Sequence, residues 1–453
     1  MPFSAADRAV VLGGGAAGLL AASVLADSYG SVVIVERDIL APQPGHRQGV
    51  PQGRHVHGFL PSGLRLVEEL LPGFTAGLAG QGALLGDILG NVRWYLQGRL
   101  LRQATTGLTM LSASRPLIEA GIRDAVRRRT NITFLDGHDI VGLEATEDRR
   151  RVTGARVVGR RGEGSRVLPA DLVVDACGRA SRAARWLAGL GFAPPGEDIV
   201  GIDLSYATRV FTGPPGTFGD DLLIATTRFP GQRRSAIAQR LEGGRVMVTL
   251  AGILGERPPT DLESFAAYAR SLPIPDTYEI VRAGTPLGAA AAFRCPTYVR
   301  RRFERLSELP AGFLVTGDAA CAFNPVYGQG MTVAASTTTA LRAEVSAPDG
   351  PDPLRFFAAQ SELIDAPWAL ATGADLAQPG VTGPAQPPSP LTGEYLARLQ
   401  RAAADDADLA AAFIRVTSLV DPPAALLAAS VRERLAQHSA GRVVVSQGAR
   451  EAR

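Results

Sequence analysis

The 453-residue chain contains no lysine; all 47 of its basic residues are arginine. That excludes every chemistry needing a lysine: a Schiff base, the lysine of a phosphate-binding loop, or a lysine that hands on an activated halogen. Cysteine is nearly as scarce. Cys177, Cys295 and Cys321 form no CxxC pair, and the five histidines are scattered except for His55 and His57. Neither a zinc site nor a disulfide framework can be assembled from these, so no metal is expected. Excess charge of one sign is also lacking. The 47 basic residues face 44 acidic ones for a net charge of +3, which argues against a nucleic-acid partner. Long apolar runs are limited to Val10–Ala26, which after Arg8 has the outline of a secretory signal. Gly13, Gly14, Gly15 and Gly18 interrupt it, so a buried strand, a glycine turn and a helix are the better reading. No other stretch is long enough to span a bilayer. The expectation is a soluble, cytoplasmic protein without a membrane partner. With 46% hydrophobic and 20% charged residues, the chain has room for two or three domains.

Ala9–Leu12 reads as a parallel strand, Gly13-x-Gly15-x-x-Gly18 as a turn, and Leu19–Ala26 as helix. A second strand, Ser31–Val35, then ends in Glu36. Glycines let the backbone approach a pyrophosphate, the helix start offers free N–H groups, and the acid takes ribose hydroxyls. Gly13, Gly15, Ala16, Ala17, Gly18, Glu36 and Arg37 are the candidate cofactor-binding residues of this segment. A glycine-rich packing turn is the alternative, and the motif by itself does not separate FAD from NAD.

Downstream, Gly312–Thr316 reads as another buried strand. It runs into Gly317-Asp318, then Phe323-Asn324-Pro325-Val326-Tyr327-Gly328-Gln329-Gly330-Met331, then a small-residue helix from Thr332 to about Leu341. Asp318 at a strand end can accept bonds from a ribityl chain. A helix start at Gly328–Met331 can direct N–H groups at an anion such as reduced flavin. The plainer reading is an aspartate capping its own helix.

Taken in order, these residues resemble the class A FAD-dependent monooxygenases: Gly13 to Gly18 with Glu36, Arg47–Gln52, the helix beginning Ser114-Arg115-Pro116-Leu117, Asp171–Arg182, and Gly317-Asp318 with Pro325. Arg47 to His57 with the Leu64–Leu71 helix, and Ala322 to Gly328, resemble most the squalene-epoxidase-like enzymes of bacterial polyether-ionophore pathways.

The resemblance implies that Gly13, Gly15, Gly18 and Glu36 hold the ADP half of FAD, that Arg115 contacts the cofactor, and that Asp318 takes the ribityl chain. It implies further that Arg47–Gln52, with Val50, pass close to the flavin ring, and that Pro325, Val326, Gly328, Gly330 and Met331 line it below a substrate pocket. NADPH or NADH would be the reductant. A flavin C4a-hydroperoxide would pass one oxygen of dioxygen to alkenes of an apolar polyene or polyketide, free or carrier-bound, in secondary metabolism. Hydroxylation of an aromatic or polycyclic substrate, and a flavoprotein oxidase or reductase, are the alternatives. One position departs from the pattern: Cys177-Gly178 stands where the family has Asp-Gly, at a place tied to cofactor and pyridine-nucleotide contacts. Cys177 reads as a small filler more readily than as a redox thiol.

With flavin carrying the chemistry, no catalytic residue is assigned. An isolated alkene needs orientation in a dry pocket, whereas a phenol needs a base or acceptor. His55 and His57 are the only nearby titratable pair, and two residues apart in an extended segment they point to opposite sides. Together with Pro325 and Val326 they are the candidates for the flavin and substrate face.

The fold expected is α/β: a Rossmann-like FAD-binding domain with a parallel sheet (1–90, 110–192 and 294–345), a mixed-sheet substrate domain (91–109 and 193–293) and a C-terminal helical region (346–453). Strands are expected at Ile202–Phe211 and Arg245–Leu250, and a helix at Leu262–Leu272. Trp94, Tyr95, Phe211, Phe229 and Phe293 read as wall or plain core residues. A loop is expected over 379–393, then helices over Glu394–Leu419 and Pro422–Gln437, and a loose last dozen residues.

Overall fold

The computed structural model describes residues 7–162, 164–213 and 216–438, so the last dozen residues lie outside it. It is an α/β fold. A five-stranded parallel sheet runs in the order Phe313–Val315, Leu172–Asp175, Arg8–Leu12, Ser31–Val35, Ile132–Leu135. Ala9–Leu12 and Leu172–Asp175 are buried throughout, because a parallel sheet is covered on both faces and its strands read as unbroken apolar runs. The helix Ala16–Leu25 is likewise apolar all round and nearly all buried.

A three-stranded antiparallel sheet, His138–Ala145, Val152–Gly159 and Ser165–Pro169, sits beside this core. A nine-stranded mixed sheet forms the second layer, built around Gly196–Thr212, Arg245–Gly252, Arg234–Arg240 and Ala291–Arg302. The strand expected at Ile202–Phe211 is thus seventeen residues long. Its outer face packs on the helices Leu262–Arg270 and Asp276–Ala283, where Phe211 lies tilted against Phe265 as core. Its inner face looks toward the parallel-sheet half. Ala291–Arg302 crosses the expected boundary at 293/294 as one continuous strand.

The C-terminal region departs from expectation. A 24-residue helix, Pro353–Leu376, begins at Asp352, whose carboxylate caps Arg355 N. The expected Glu394–Leu419 helix is two helices, Gly393–Ala402 and Ala407–Thr417. Asp406 accepts from Asp408 N and Leu409 N and so starts a new helix. Pro422 and Pro423 open a 3₁₀ turn, Pro423–Leu427, before the helix at 429–438. These helices pack on Val92, Leu96, Leu101 and Leu222 at the far end of the large sheet. No helix among the described residues is long and apolar enough to cross a membrane.

Candidate functional site

The glycine turn is shaped by contacts that forbid a side chain. Gly13 has φ +107°, and a Cβ there would stand 2.6 Å from Ala176 O; at Gly18 it would stand 1.9 Å from Gly13 O. At Gly15 a Cβ would meet nothing within 4 Å, so the outer side of the turn is open. The helix Ala16–Leu25 starts there with no capping side chain and no acid in its first turn, leaving its positive end for an anion. Gly317, with φ +63°, approaches the same turn so closely that a Cβ would lie 2.6 Å from Ala17 Cβ. Two motifs far apart in the chain are thereby in contact.

Asp318 follows directly. Its carboxylate has no hydrogen-bond partner among the described residues, and burial raises its pKa against the pull of Arg179, Arg115 and Arg301. A Cβ on Gly330 would lie 3.7 Å from Asp318 Oδ1, and one on Gly178 would lie 3.9 Å from Asp318 Cβ. The aspartate therefore sits between the Gly178 turn and the start of the helix Gln329–Val345. That helix too begins without a capping side chain or first-turn acid, at Gly328 with φ +66°. An unsatisfied carboxylate between two uncapped helix starts suits a ligand with both hydroxyl donors and anionic groups. FAD is such a ligand.

Glu36 accepts Gly14 N at 2.9 Å and Asp38 N at 3.0 Å. Arg47 lies 3.2 Å from Glu36 and donates to Glu119 at 2.9 Å and to Gly14 O at 3.3 Å. Arg115 is held by Glu119 in turn. Burial would raise the Glu119 pKa, but Arg115 and Arg47 bring it down to about 2. Arg47 thus stands among three carboxylates, Glu36, Asp38 and Glu119. Val50 lies near the Arg115 side chain across Gly53. Arg37 is half-exposed.

The inner face of the large sheet is set by its register. Phe293, Tyr206, Ala251 and Ser235 form one cross-strand row; Ala291, Thr208, Thr249, Ile237 and Ala225 form the next. Between these rows and the Pro325–Tyr327 turn is a cavity of 20 Å³, lined by Val56, Tyr206, Ser235, Thr249, Ala251, Pro325 and Val326 among others.

His55 lies on this face, tilted against Tyr206 and Phe293. Its Nδ1 is 2.7 Å from Thr208 Oγ1, which is 2.7 Å from Thr249 Oγ1. Burial, with Arg54 nearby, pushes the imidazole pKa down to about 4. His57 turns the other way: its Nδ1 donates to His55 O at 3.0 Å, and burial and Arg115 take its pKa to about 3. Both are neutral at pH 7.

The sequence reading missed Asp375. This fully buried carboxylate accepts Tyr327 OH at 2.7 Å, Asn324 Nδ2 at 2.7 Å, Tyr298 OH at 2.9 Å and Arg228 Nη2 at 2.9 Å. Its only sequence signal was a lone acid in the largely apolar stretch Pro367–Leu376. Trp94 and Tyr95 use their polar atoms on Ile88 O and Asp276, and Phe229 lies in a turn. Cys177 packs its Sγ 3.5 Å from Leu12 O, and burial with Asp175 raises its thiol pKa well above normal, so it is no reactive thiolate.

No family model matches the chain. Its architecture is shared by PqsL, a probable FAD-dependent monooxygenase from Pseudomonas aeruginosa (TM-score 0.59, 18% identity, 82% of this chain and 97% of that one). It is shared also by a flavoprotein/dehydrogenase from Cytophaga hutchinsonii (TM-score 0.67, 16% identity, 97% and 99%) and by the flavin-dependent brominase Bmp2 (TM-score 0.64, 13% identity, 98% and 100%). At these identities the likeness shows the fold. Protein Rv3254 of Mycobacterium tuberculosis is 32% identical over 364 residues, covering 75% of this chain and 73% of that protein. The chain belongs to the same family as Protein Rv3254.

Proposed function

We propose that the chain binds FAD between the Gly13–Gly18 turn and the Gly328–Met331 helix start and acts as a monooxygenase on a small organic molecule held against Pro325 and Val326. The observation that carries this reading is the packing of Gly317-Asp318 on Ala17, which puts an unpartnered carboxylate beside an uncapped helix start. Gly15 and the amides of Ala16, Ala17 and Gly18 would take the pyrophosphate, Glu36 the adenosine ribose, and Asp318 the ribityl hydroxyls. The Gly328–Met331 helix start would face the ring and favour its reduced, anionic form. When bound and reduced by NADPH or NADH, FAD activates dioxygen and supplies an electrophilic oxygen atom.

The residues of the chain then orient the substrate and exclude water. Among the described residues no carboxylate lines the cavity, the lowered pKa of His55 makes it a weak base, and burial keeps the Tyr206 hydroxyl protonated, so the wall is a poor proton acceptor. Such a wall suits an alkene, which loses no proton. Epoxidation of an alkene in a polyketide chain is accordingly the reading favoured. The hydrogen-bonded chain His55, Thr208, Thr249, reaching the same wall, favours hydroxylation of a phenol as the second.

The purified protein is expected to carry or take up FAD. With a flavin-reducing system and ¹⁸O₂ it should place one labelled oxygen on the alkene of a substituted polyene ester, recovered as a diol after acid. Label on a co-supplied phenol would select hydroxylation. Reoxidation in air without label in any product, or no FAD uptake, would overturn the monooxygenase reading.

A further inference from the structure

Ser235 is 3% exposed, lies in the middle of the large sheet, and its Oγ has no hydrogen-bond partner among the described residues. A buried hydroxyl left without a partner is costly, and the neighbour of Ser235 across the sheet on the same face is an alanine, Ala251. Other unpartnered groups of the sheet have different surroundings. Thr226 is paired with Ala236, on the opposite, apolar face. Gln239 already uses its amide on Ser112. Ser235 is the one whose free hydroxyl belongs to a residue lining the cavity against Pro325 and Val326.

Its row supplies a second group. Tyr206 and Ser235 are the two neighbours of Ala251 across the sheet, and all three line the cavity. The Tyr206 hydroxyl has no hydrogen-bond partner among the described residues either, whereas Thr249 Oγ1 is engaged by Thr208 and by Val56 N. Ala251, the small residue between them, leaves room on this part of the wall.

We infer that Ser235 and Tyr206 read an oxygen of the substrate. The molecule taken would then be one whose reacting carbon lies near a hydroxyl or carbonyl group, rather than a bare hydrocarbon chain. This rests on the reading of the cavity as the oxygenation site and narrows it. A substrate oxygen at this part of the wall receives a hydrogen bond from either hydroxyl, or gives one to Ser235 Oγ. A hydrocarbon in the same place leaves the buried Ser235 hydroxyl unpaired, which is how a pocket rejects an analogue lacking the group it was built to bind. Both residues are specificity-determining; neither takes part in bond making.

The test uses (E)-cinnamyl alcohol and (E)-1-phenyl-1-butene, which differ by a hydroxyl for a methyl, titrated calorimetrically into the full-length protein after its flavin content has been recorded. The alcohol is expected to bind roughly fivefold tighter or more. Ser235→Ala should weaken the alcohol and leave or strengthen the hydrocarbon, a pair of opposite signs that a loosened fold does not produce. Tyr206→Phe, which keeps the ring against His55 and Phe293, should lower the ratio in the same direction. An unchanged ratio in both variants, or no saturable binding of the alcohol by the parent protein, overturns the inference. Flavin content and ¹⁸O labelling report separately on the monooxygenase reading: a preference for the alcohol that falls in both variants, in a protein that takes no FAD, would sink that reading and leave Ser235 and Tyr206 only as a pair that recognises a ligand oxygen.

Discussion

Tyr327 donates its hydroxyl to Asp375 at 2.7 Å, joining the turn beside the cavity to the last turn of the helix Pro353–Leu376. Asn324, which caps the same turn by accepting Val326 N, donates to the other oxygen of that carboxylate. Arg228 supplies the countercharge, with its side chain 6% exposed. A buried ion pair of this kind contributes little net stability while intact but is costly to break, because the surviving charge is stranded. Asp375→Ala is therefore expected to destabilise the protein by about 3–5 kcal/mol, and Tyr327→Phe by about 1 kcal/mol. Urea unfolding measures both; a loss below about 1 kcal/mol for Asp375→Ala would show that the hub holds nothing in place.

Gly15 and Gly18 make a contrast within one motif. Gly18→Ala would drive a methyl into Gly13 O, so little soluble protein is expected. Gly15→Ala meets no protein atom, and φ −79° at that position suits any residue, so its melting temperature should stay near that of the parent. Its methyl faces the open side of the turn, where the pyrophosphate would approach, so FAD affinity should fall roughly tenfold or more. Equal FAD affinity in Gly15→Ala and the parent would count against that assignment.

Asp318→Ala removes a carboxylate that spends desolvation energy without a protein partner. The apoprotein should be as stable as the parent or slightly more so, while FAD content after purification drops sharply. Thermal melting and flavin absorbance separate the two effects; normal FAD content in the variant would remove Asp318 from the cofactor site.

His55 makes the fold sensitive to acid. Its pKa is lowered from 6.5 to about 4, so the unfolded chain binds the proton more readily. The stabilisation is complete above pH 6.5, is lost as pH falls toward 4, and changes no further below that. Between pH 7.5 and pH 5 this group alone should cost about 2 kcal/mol. His55→Asn is expected to be less stable at pH 7.5 but to show a shallower loss toward pH 5, read from urea midpoints at the two pH values. An unchanged slope would mean that the imidazole binds its proton equally well in the folded and the unfolded chain.

Much of the architecture was legible because it is written in short-range pattern. Ala9–Leu12, Ser31–Val35 and Phe313–Val315 are apolar runs, Gly13 and Gly18 occupy backbone positions where a side chain does not fit, and the helices Ala16–Leu25 and Gln329–Val345 each begin directly after a glycine. The C-terminal helices were less legible. Asp406 works as a helix cap only in its actual backbone conformation, and inside an alanine-rich stretch it reads equally well as a surface residue.

The sequence by itself determined the strand, turn and helix units and the residue types able to meet a flavin, because those depend on neighbours a few positions away. The tertiary structure alone decided that Arg47 belongs to Glu36 and Glu119, that Asp375 gathers Tyr298, Asn324, Tyr327 and Arg228, and that Ser235 and Tyr206 flank Ala251. The reason is register. A strand shifted by one residue turns every side chain to the opposite face, and which residues meet across a sheet or beneath a helix is fixed by packing between segments far apart in the chain.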